Sequence, residues 1–271
     1  MPPIDEVLKV DQLAEDVFQG KSFDTSMQRT FGGQVAAQSL VAAVRTVRED
    51  VRVHSLHGYF LRPGDPDAPT ELHVDRVRDG RSFLTRRVTA IQHDKAIFSM
   101  SASFHAHDDG PEHQDDMPRV PGPDNLSALG GVNEAINDWF RQEWPDWDIR
   151  IVPAVDMSTS RGLAAQQRVW IRYRHELPPD PVFHVCVLAY MSDMTLLGSA
   201  RVPHPDAHTQ GASLDHALWF LRPFRADEWL LYDQTSPSAG FGRALTQGRI
   251  FDQGGNMVAA VVQEGLMRYA R

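Results

Sequence analysis

The chain has 271 residues, room for two modules of roughly 130 residues or one large α/β unit. Hydrophobic residues make up 42% and charged residues 23%, enough for a buried core, while 27 Lys+Arg against 36 Asp+Glu leave a formal charge of −9. That balance argues against a general nucleic-acid or anionic-membrane binder, which needs a basic face, and no run of about 18 apolar residues suggests a membrane span.

In chain order, residues 4–13 (IDEVLKVDQL) have the spacing of a short amphipathic helix, and Asp16–Gln19 that of a first strand before Gly20. Phe31–Val47 opens on two glycines and continues rich in Ala, Val and Gln with no breaker, which predicts a buried helix. Strands are predicted over Val51–Leu61, Ala68–Arg78, Ser82–Gln92 and Ala96–His105, with turn pairs at Asp79-Gly80 and His93-Asp94. A strand, one long helix and a run of strands is an α+β order, the helix lying on one antiparallel sheet. From His105 to Gly131 the chain is rich in Pro, Gly and acids without periodicity, and reads as a solvated acidic connector. Its His105, His107 and His113 stand beside Asp108, Asp109, Asp115 and Asp116, but no regular element would hold them round a metal. The pattern then restarts, with strands at Arg150–Val155 and Gln167–Arg174, an apolar helix from Pro181 to about Ala200, and strands at Ala212–Leu221, Trp229–Gln234, Gly242–Phe251 and Met257–Leu266.

The restart is visible in individual residues. Phe60, Leu61, Arg62 and Pro63 recur as Phe220, Leu221, Arg222 and Pro223, a shift of 160. The same shift lays Ile97–Ser103 on Met257–Gln263 and the helix from Phe31 on Met191 onward, so duplication is expected. Under it Gly33 meets Asp193, Val53 meets Ser213 and Ser103 meets Gln263. The second half has thus gained a carboxylate, a hydroxyl and a carboxamide, as when one of two copies keeps a working site. Each residue also has an ordinary reading. Asp193 would end a shorter helix, Ser213 would be a strand-edge serine, and Gln263 would lie on an exposed strand face. On the helix as drawn, Asp193 would share the apolar face with Cys186, Ala189, Leu196 and Leu197, where a carboxylate costs several kcal/mol unless hydrogen-bonded or at a cavity wall.

Other motifs are absent. The chain lacks GxSxG, HExxH, CxxC, a P-loop and GxGxxG; GASLD at Gly211 is only a partial echo of the first. Asp215 and His216 are neighbours on a strand and so point to opposite faces, which argues against a catalytic dyad. Cys186 reads as a small core residue. Being the lone cysteine, it permits no internal disulfide and fits a reducing compartment. Arg78, Arg81, Arg86 and Arg87, with Arg168, Arg172 and Arg174, read as solvated strand faces, of which a few could meet a phosphorylated ligand such as a coenzyme A tail. The first residues show no secretory pattern and the last no peroxisomal or prenylation signal, so a soluble cytoplasmic protein is expected.

Taken together, FGGQVAAQSLVAA, HSLHGYFLRPGD, RDGRSFLTRRVTAIQ, AYMSDMTLL, SLDHALWFLRPF, EWLLY and VVQEGLMR resemble the type II acyl-CoA thioesterases, from about Phe18 to Arg268. The resemblance implies an α+β double hotdog, two repeats each a long helix wrapped by an antiparallel sheet. The expected division is a first hotdog over 1–106, a linker over 107–131 and a second hotdog over 132–271 carrying the catalytic residues. It implies hydrolysis of acyl-CoA to free CoA and a fatty acid without metal or bound cofactor, and a homo-oligomer. Matched motif to motif, the family's catalytic Asp, Thr or Ser, and Gln fall on Asp193, Ser213 and Gln263. Many relatives carry Thr where Ser213 stands, so the hydroxyl remains but the methyl that restricts its rotamer is gone. Two alternatives share the fold: an enoyl-CoA hydratase, which needs an Asp/His pair on one helix, and a non-catalytic acyl-CoA-binding protein.

Overall fold

The computed structural model describes residues 1–127, 134–154, 157 and 165–270. The chain forms two compact units, and neither is a contiguous half. The first comprises Met1–Glu112, Val182–Met194 and Leu214–Phe220, and the second the remaining segments from His113 to Arg271. A helix and a strand from the later sequence fold with the first unit. Of the expected linker and second module, residues 128–133, 155, 156, 158–164 and 271 lie outside the described residues, among them Val155 of the strand expected over 150–155.

In the first unit, helix α1 (Ile4–Val7) precedes strands β1 (Val10–Ala14) and β2 (Val17–Gly20). The helix expected through residue 13 stops early, and a turn at Asp16 (φ 57°) folds β1 back on β2. Helix α2 (Gly32–Val44) follows, then β3 (Val51–Phe60), β4 (Thr70–Asp79), β5 (Phe83–Gln92) and β6 (Lys95–Ala106), close to their predicted bounds. His93 and Asp94 both have positive φ (49° and 58°), the geometry that a two-residue hairpin loop demands. Strand order is β1-β2-β4-β5-β6-β3-β10, where β10 is Asp215–Phe220, and the pairs are antiparallel. Every second residue of β5 is buried, and α2 buries Val35, Ala36 and Leu40 in contact with this sheet.

The second unit contains α3 (Glu134–Glu143), β7 (Trp147–Ile151), β8 (Gln166–Tyr173), β9 (Thr209–Ser213), β11 (Leu230–Gly240), β12 (Arg243–Phe251) and β13 (Met257–Tyr269). The pairing order is β9-β13-β12-β11-β8-β7. Helix α4 (Pro181–Met191) ends nine residues short of the expected Ala200; a turn over 192–195 leads into a 3-10 helix, Leu196–Arg201. The shift of 160 therefore lays α2 on this turn and 3-10 helix, and not on α4. The 3-10 helix contacts β11 and β12, as α2 contacts β4 and β5. The segment Pro181–Arg201 is long and apolar enough to cross a membrane by length and composition, but two-thirds of its apolar window is buried in protein.

The connector is less solvated than its composition suggests. Met117 and Val120 pack on a cluster of Leu126, Val152, Trp170, Trp229, Leu231 and Phe251. Gln114 accepts a bond from Met257 N (3.0 Å) and donates to Gly255 O (2.8 Å), and Asp115 takes one from Arg249 (2.8 Å). Pro121 accepts the indole N–H of Trp170 at 2.9 Å.

Strand register refines the repeat. Glu71↔Ile91 and Val74↔Val88 become Leu231↔Phe251 and Gln234↔Gly248, so the shift of 160 holds through β12. Arg86 pairs with Ala102, but Thr246 pairs with Gln263, so β13 lies one residue further on. A three-residue loop, Gln253–Gly255 with Gly255 at φ 85°, replaces the two-residue His93-Asp94 turn. Gln263 therefore takes the register place of Ala102 and not, as expected, that of Ser103.

Candidate active site

Gln263 lies in the Val- and Ala-rich run of β13 and is fully buried. The expectation of an exposed-face glutamine is thus set aside. Its main chain is fixed by pairing with Thr246, whose hydroxyl donates to the Gln263 carbonyl at 2.9 Å. Ser213 ends β9 opposite Gly265, so its side chain is the diagonal neighbour of Gln263 on one sheet face. The Gln263 Nε2 donates to Ser213 Oγ at 2.6 Å. The 3-10 helix comes close to this strand: a Cβ on Gly265 would lie 2.4 Å from Leu197 Cδ1, so the glycine leaves that side chain room where it lies.

Asp193 is in the first unit, two residues past the end of α4, as the shorter-helix reading had it; it is half-buried rather than exposed. Its Oδ2 stands 2.6 Å from where a Cβ on Gly32 would be. Glycine at the first position of α2 thus opens the space the carboxylate occupies. The acid is set at the amino end of that helix, which has no side-chain cap and where the partial positive charge of the helix lies. Gly33 serves a second close approach, since its Cβ would fall 2.3 Å from the carbonyl oxygen of Tyr190 on α4. The Phe31 ring meets Tyr190 edge-on at 5.0 Å and closes the same contact.

One residue earlier, Ser192 donates its hydroxyl to Ala189 O (2.9 Å) and meets His216 Nε2 at 2.8 Å. His216 is buried on β10, and burial pushes its pKa below the ordinary value against the opposing pull of Asp193 and Asp215. In the sequence His216 stands out only as the neighbour of Asp215, and nothing marks Ser192. Contacts between residues 24 apart leave no local period to find them by.

The remaining expectations divide. Cys186 is buried in the core and forms no disulfide. Arg78, Arg81, Arg87 and Arg174 are exposed, whereas Arg86 and Arg168, expected on solvated faces, are 1% and 2% exposed. Arg86 donates to Thr46 Oγ1 (2.9 Å) and Asp79 (2.5 Å), and Arg168 to Asp233 (2.8 Å). Among the described residues no three His, Cys, Asp or Glu side chains are grouped to hold a metal ion. His184 is on α4 but Asp193 is beyond its end, so they do not form the one-helix Asp/His pair that a hydratase reading needs.

Comparison with known proteins gives these residues a context. Residues 137–266 match the family model described as acyl-CoA thioesterase, and residues 21–105 that of the acyl-CoA thioesterase N-terminal domain. Acyl-coenzyme A thioesterase 8 of Mus musculus is 40% identical, over 98% of this chain and 88% of its own. Acyl-CoA thioesterase 2 of Haemophilus influenzae is 36% identical, over 97% and 96%. Among solved structures, an acyl-CoA thioesterase II from Mycobacterium marinum superposes with a TM-score of 0.90 at 56% identity, covering 98% of both chains.

Proposed function

Because the chain belongs to the acyl-CoA thioesterase family and is an enzyme hydrolysing acyl-CoA thioesters, we propose that Asp193 is its general base and that Ser213 and Gln263 hold the attacking water. A thioester carbonyl is already a good electrophile, so the protein needs mainly to aim a water and receive the developing oxyanion. Asp193 takes one proton as the water oxygen bonds to the acyl carbon. The tetrahedral oxyanion then collapses, the C–S bond breaks, and the CoA thiolate recovers the proton from Asp193. The products are free CoA and a carboxylic acid, without an acyl-enzyme.

The observation that carries the proposal is the bond from buried Gln263 Nε2 to Ser213 Oγ. With one amide N–H given to Ser213, Gln263 fixes the place of a hydroxyl that lacks the rotamer-restricting methyl of threonine. Asp193 belongs to one compact unit and this pair to the other, so their joint action is best tested by kinetics. Thiol release from an acyl-CoA panel should fall by about 10²- to 10⁴-fold in D193N. The D193N/Q263A double variant should lose little beyond the worse single one, because groups that serve one water act as a unit. Fully additive losses, or an acyl group trapped on Ser213 by mass spectrometry, would overturn the scheme.

The working form is proposed to be a cytoplasmic homo-oligomer. Fully exposed Phe241 and largely exposed Tyr269 supply apolar surface for assembly, and a lone cysteine, Cys186, suits a reducing compartment. Light scattering should return a multiple of 30.4 kDa.

A further inference from the structure

The first unit holds a buried polar pair, His216 and Ser192, that ends on the residue next to Asp193. His216 is buried on β10, paired through the main chain with Gly58 of β3. Of its two ring nitrogens, Nδ1 is buried with no partner among the described residues, and Nε2 lies 2.8 Å from Ser192 Oγ. The Ser192 hydroxyl also reaches the carbonyl of Ala189 at 2.9 Å, so with the ring as its Nε2–H tautomer Oγ accepts from His216 while donating to that carbonyl. In that tautomer the bonds run as one chain: His216 N–H to Ser192 O–H to the Ala189 carbonyl in the last turn of α4. Ser192 is itself wholly buried and its own N–H closes on Leu188 O at 2.9 Å. Both the backbone and the side chain of Ser192 are thereby held, and Asp193 begins at its carbonyl carbon.

We infer that His216 is a positioning residue for the hydrolysis, fixing the Asp193 carboxylate through its hydrogen bond to Ser192. The inference rests on Asp193 being the general base. Helix α4 ends at Met191, and Ser192 is the first residue of the turn that carries Asp193. The Asp193 Oδ2 lies in the space that a side chain on Gly32 would fill. A buried donor anchoring the preceding residue adds rigidity where the helix ends. Misplacement by about 1 Å can cost on the order of 10²-fold in rate.

Steady-state kinetics on the full chain tests this. H216L, which keeps bulk without the donor, and S192A, which removes the acceptor, should each lower kcat by about 10- to 100-fold with KM unchanged. The double variant H216L/S192A should lose no more than the worse single one, since both break one bond. H216Q, whose amide N–H can reach the place of Nε2, should recover most of the loss, a rescue that simple core packing would not produce. S192A, the smallest change, keeps the test open if H216L fails to fold. Additive losses, a rise in KM at constant kcat, or an H216Q as impaired as H216L would overturn the inference. D193N run alongside separates the two claims. Full activity in D193N would remove the general-base reading, whereas an inactive D193N beside unimpaired S192A and H216L would remove only the role of His216.

Discussion

At the scale of single residues, the polar groups that matter are those whose burial is compensated. A buried carboxamide costs several kcal/mol when its hydrogen bonds are unmade, which makes Gln263 in an apolar strand informative once its bond to Ser213 is seen. His216 is buried as well, and its ring is titratable. Its folded pKa lies below the ordinary 6.5 because burial disfavours the cation, so on acidification the unfolded chain binds the proton first. The stability this group contributes is whole above about pH 6.5 and is lost as pH falls from there toward the folded pKa. His54, lowered by burial and by His105, acts in the same direction. Urea denaturation at pH 7.5 and 5.5 should therefore show lower stability at the acid pH, and H216Q should show a shallower drop. An equal drop in both proteins would remove His216 as the cause.

At the scale of elements, small residues decide which segments can touch. Gly33 to Ala normally stabilises a helix interior by up to about 1 kcal/mol. Here the added Cβ would meet the Tyr190 carbonyl at 2.3 Å, and a backbone oxygen cannot swing aside, so α2 and α4 would have to part. G33A should lower the melting temperature, with a cost of about 1–3 kcal/mol typical of overpacking; a rise would show that the close approach is not needed. Across β8, β11 and β12, Arg168, Asp233 and Arg249 stand directly opposite one another. Asp233 takes Arg168 Nε at 2.8 Å and Arg249 Nη2 at 2.6 Å, while 1% of its side chain is exposed. D233A leaves a buried guanidinium without that carboxylate and should cost about 3–5 kcal/mol in denaturant titration. R249A, which removes the half-exposed member, should cost clearly less. Equal costs would mean the triad is not organised round a buried charge.

At the scale of the whole molecule, the compact units cross the sequence. Residues 1–112 lack α4 and β10, so expressed alone they leave the face of Gly33 and the β3 edge uncovered. Such a fragment should show no cooperative melt, and co-expression with residues 113–271 should restore one. An independently folded fragment would show that the first unit does not need its returning segments. The docked connector belongs to this scale too, because its Pro- and acid-rich composition hides the side chains of Met117 and Val120 that pack on the second unit's core.

Strand periodicity and turn chemistry are local, so the sequence alone determined most strands of both repeats, the His93-Asp94 hairpin and the shift of 160 through β12. The ordered motifs likewise determined the family and picked out Asp193, Ser213 and Gln263. Only tertiary structure decided the rest. It showed that β13 lies one residue further along, through a three-residue loop whose length fixes register without altering any local period. It also stopped α4 at Met191, buried Arg86 and Arg168, joined Gln263 to Ser213, and put His216 against Ser192. Each of these depends on which groups are available across space to satisfy a buried donor or admit a close backbone, and spacing along a chain carries no record of that.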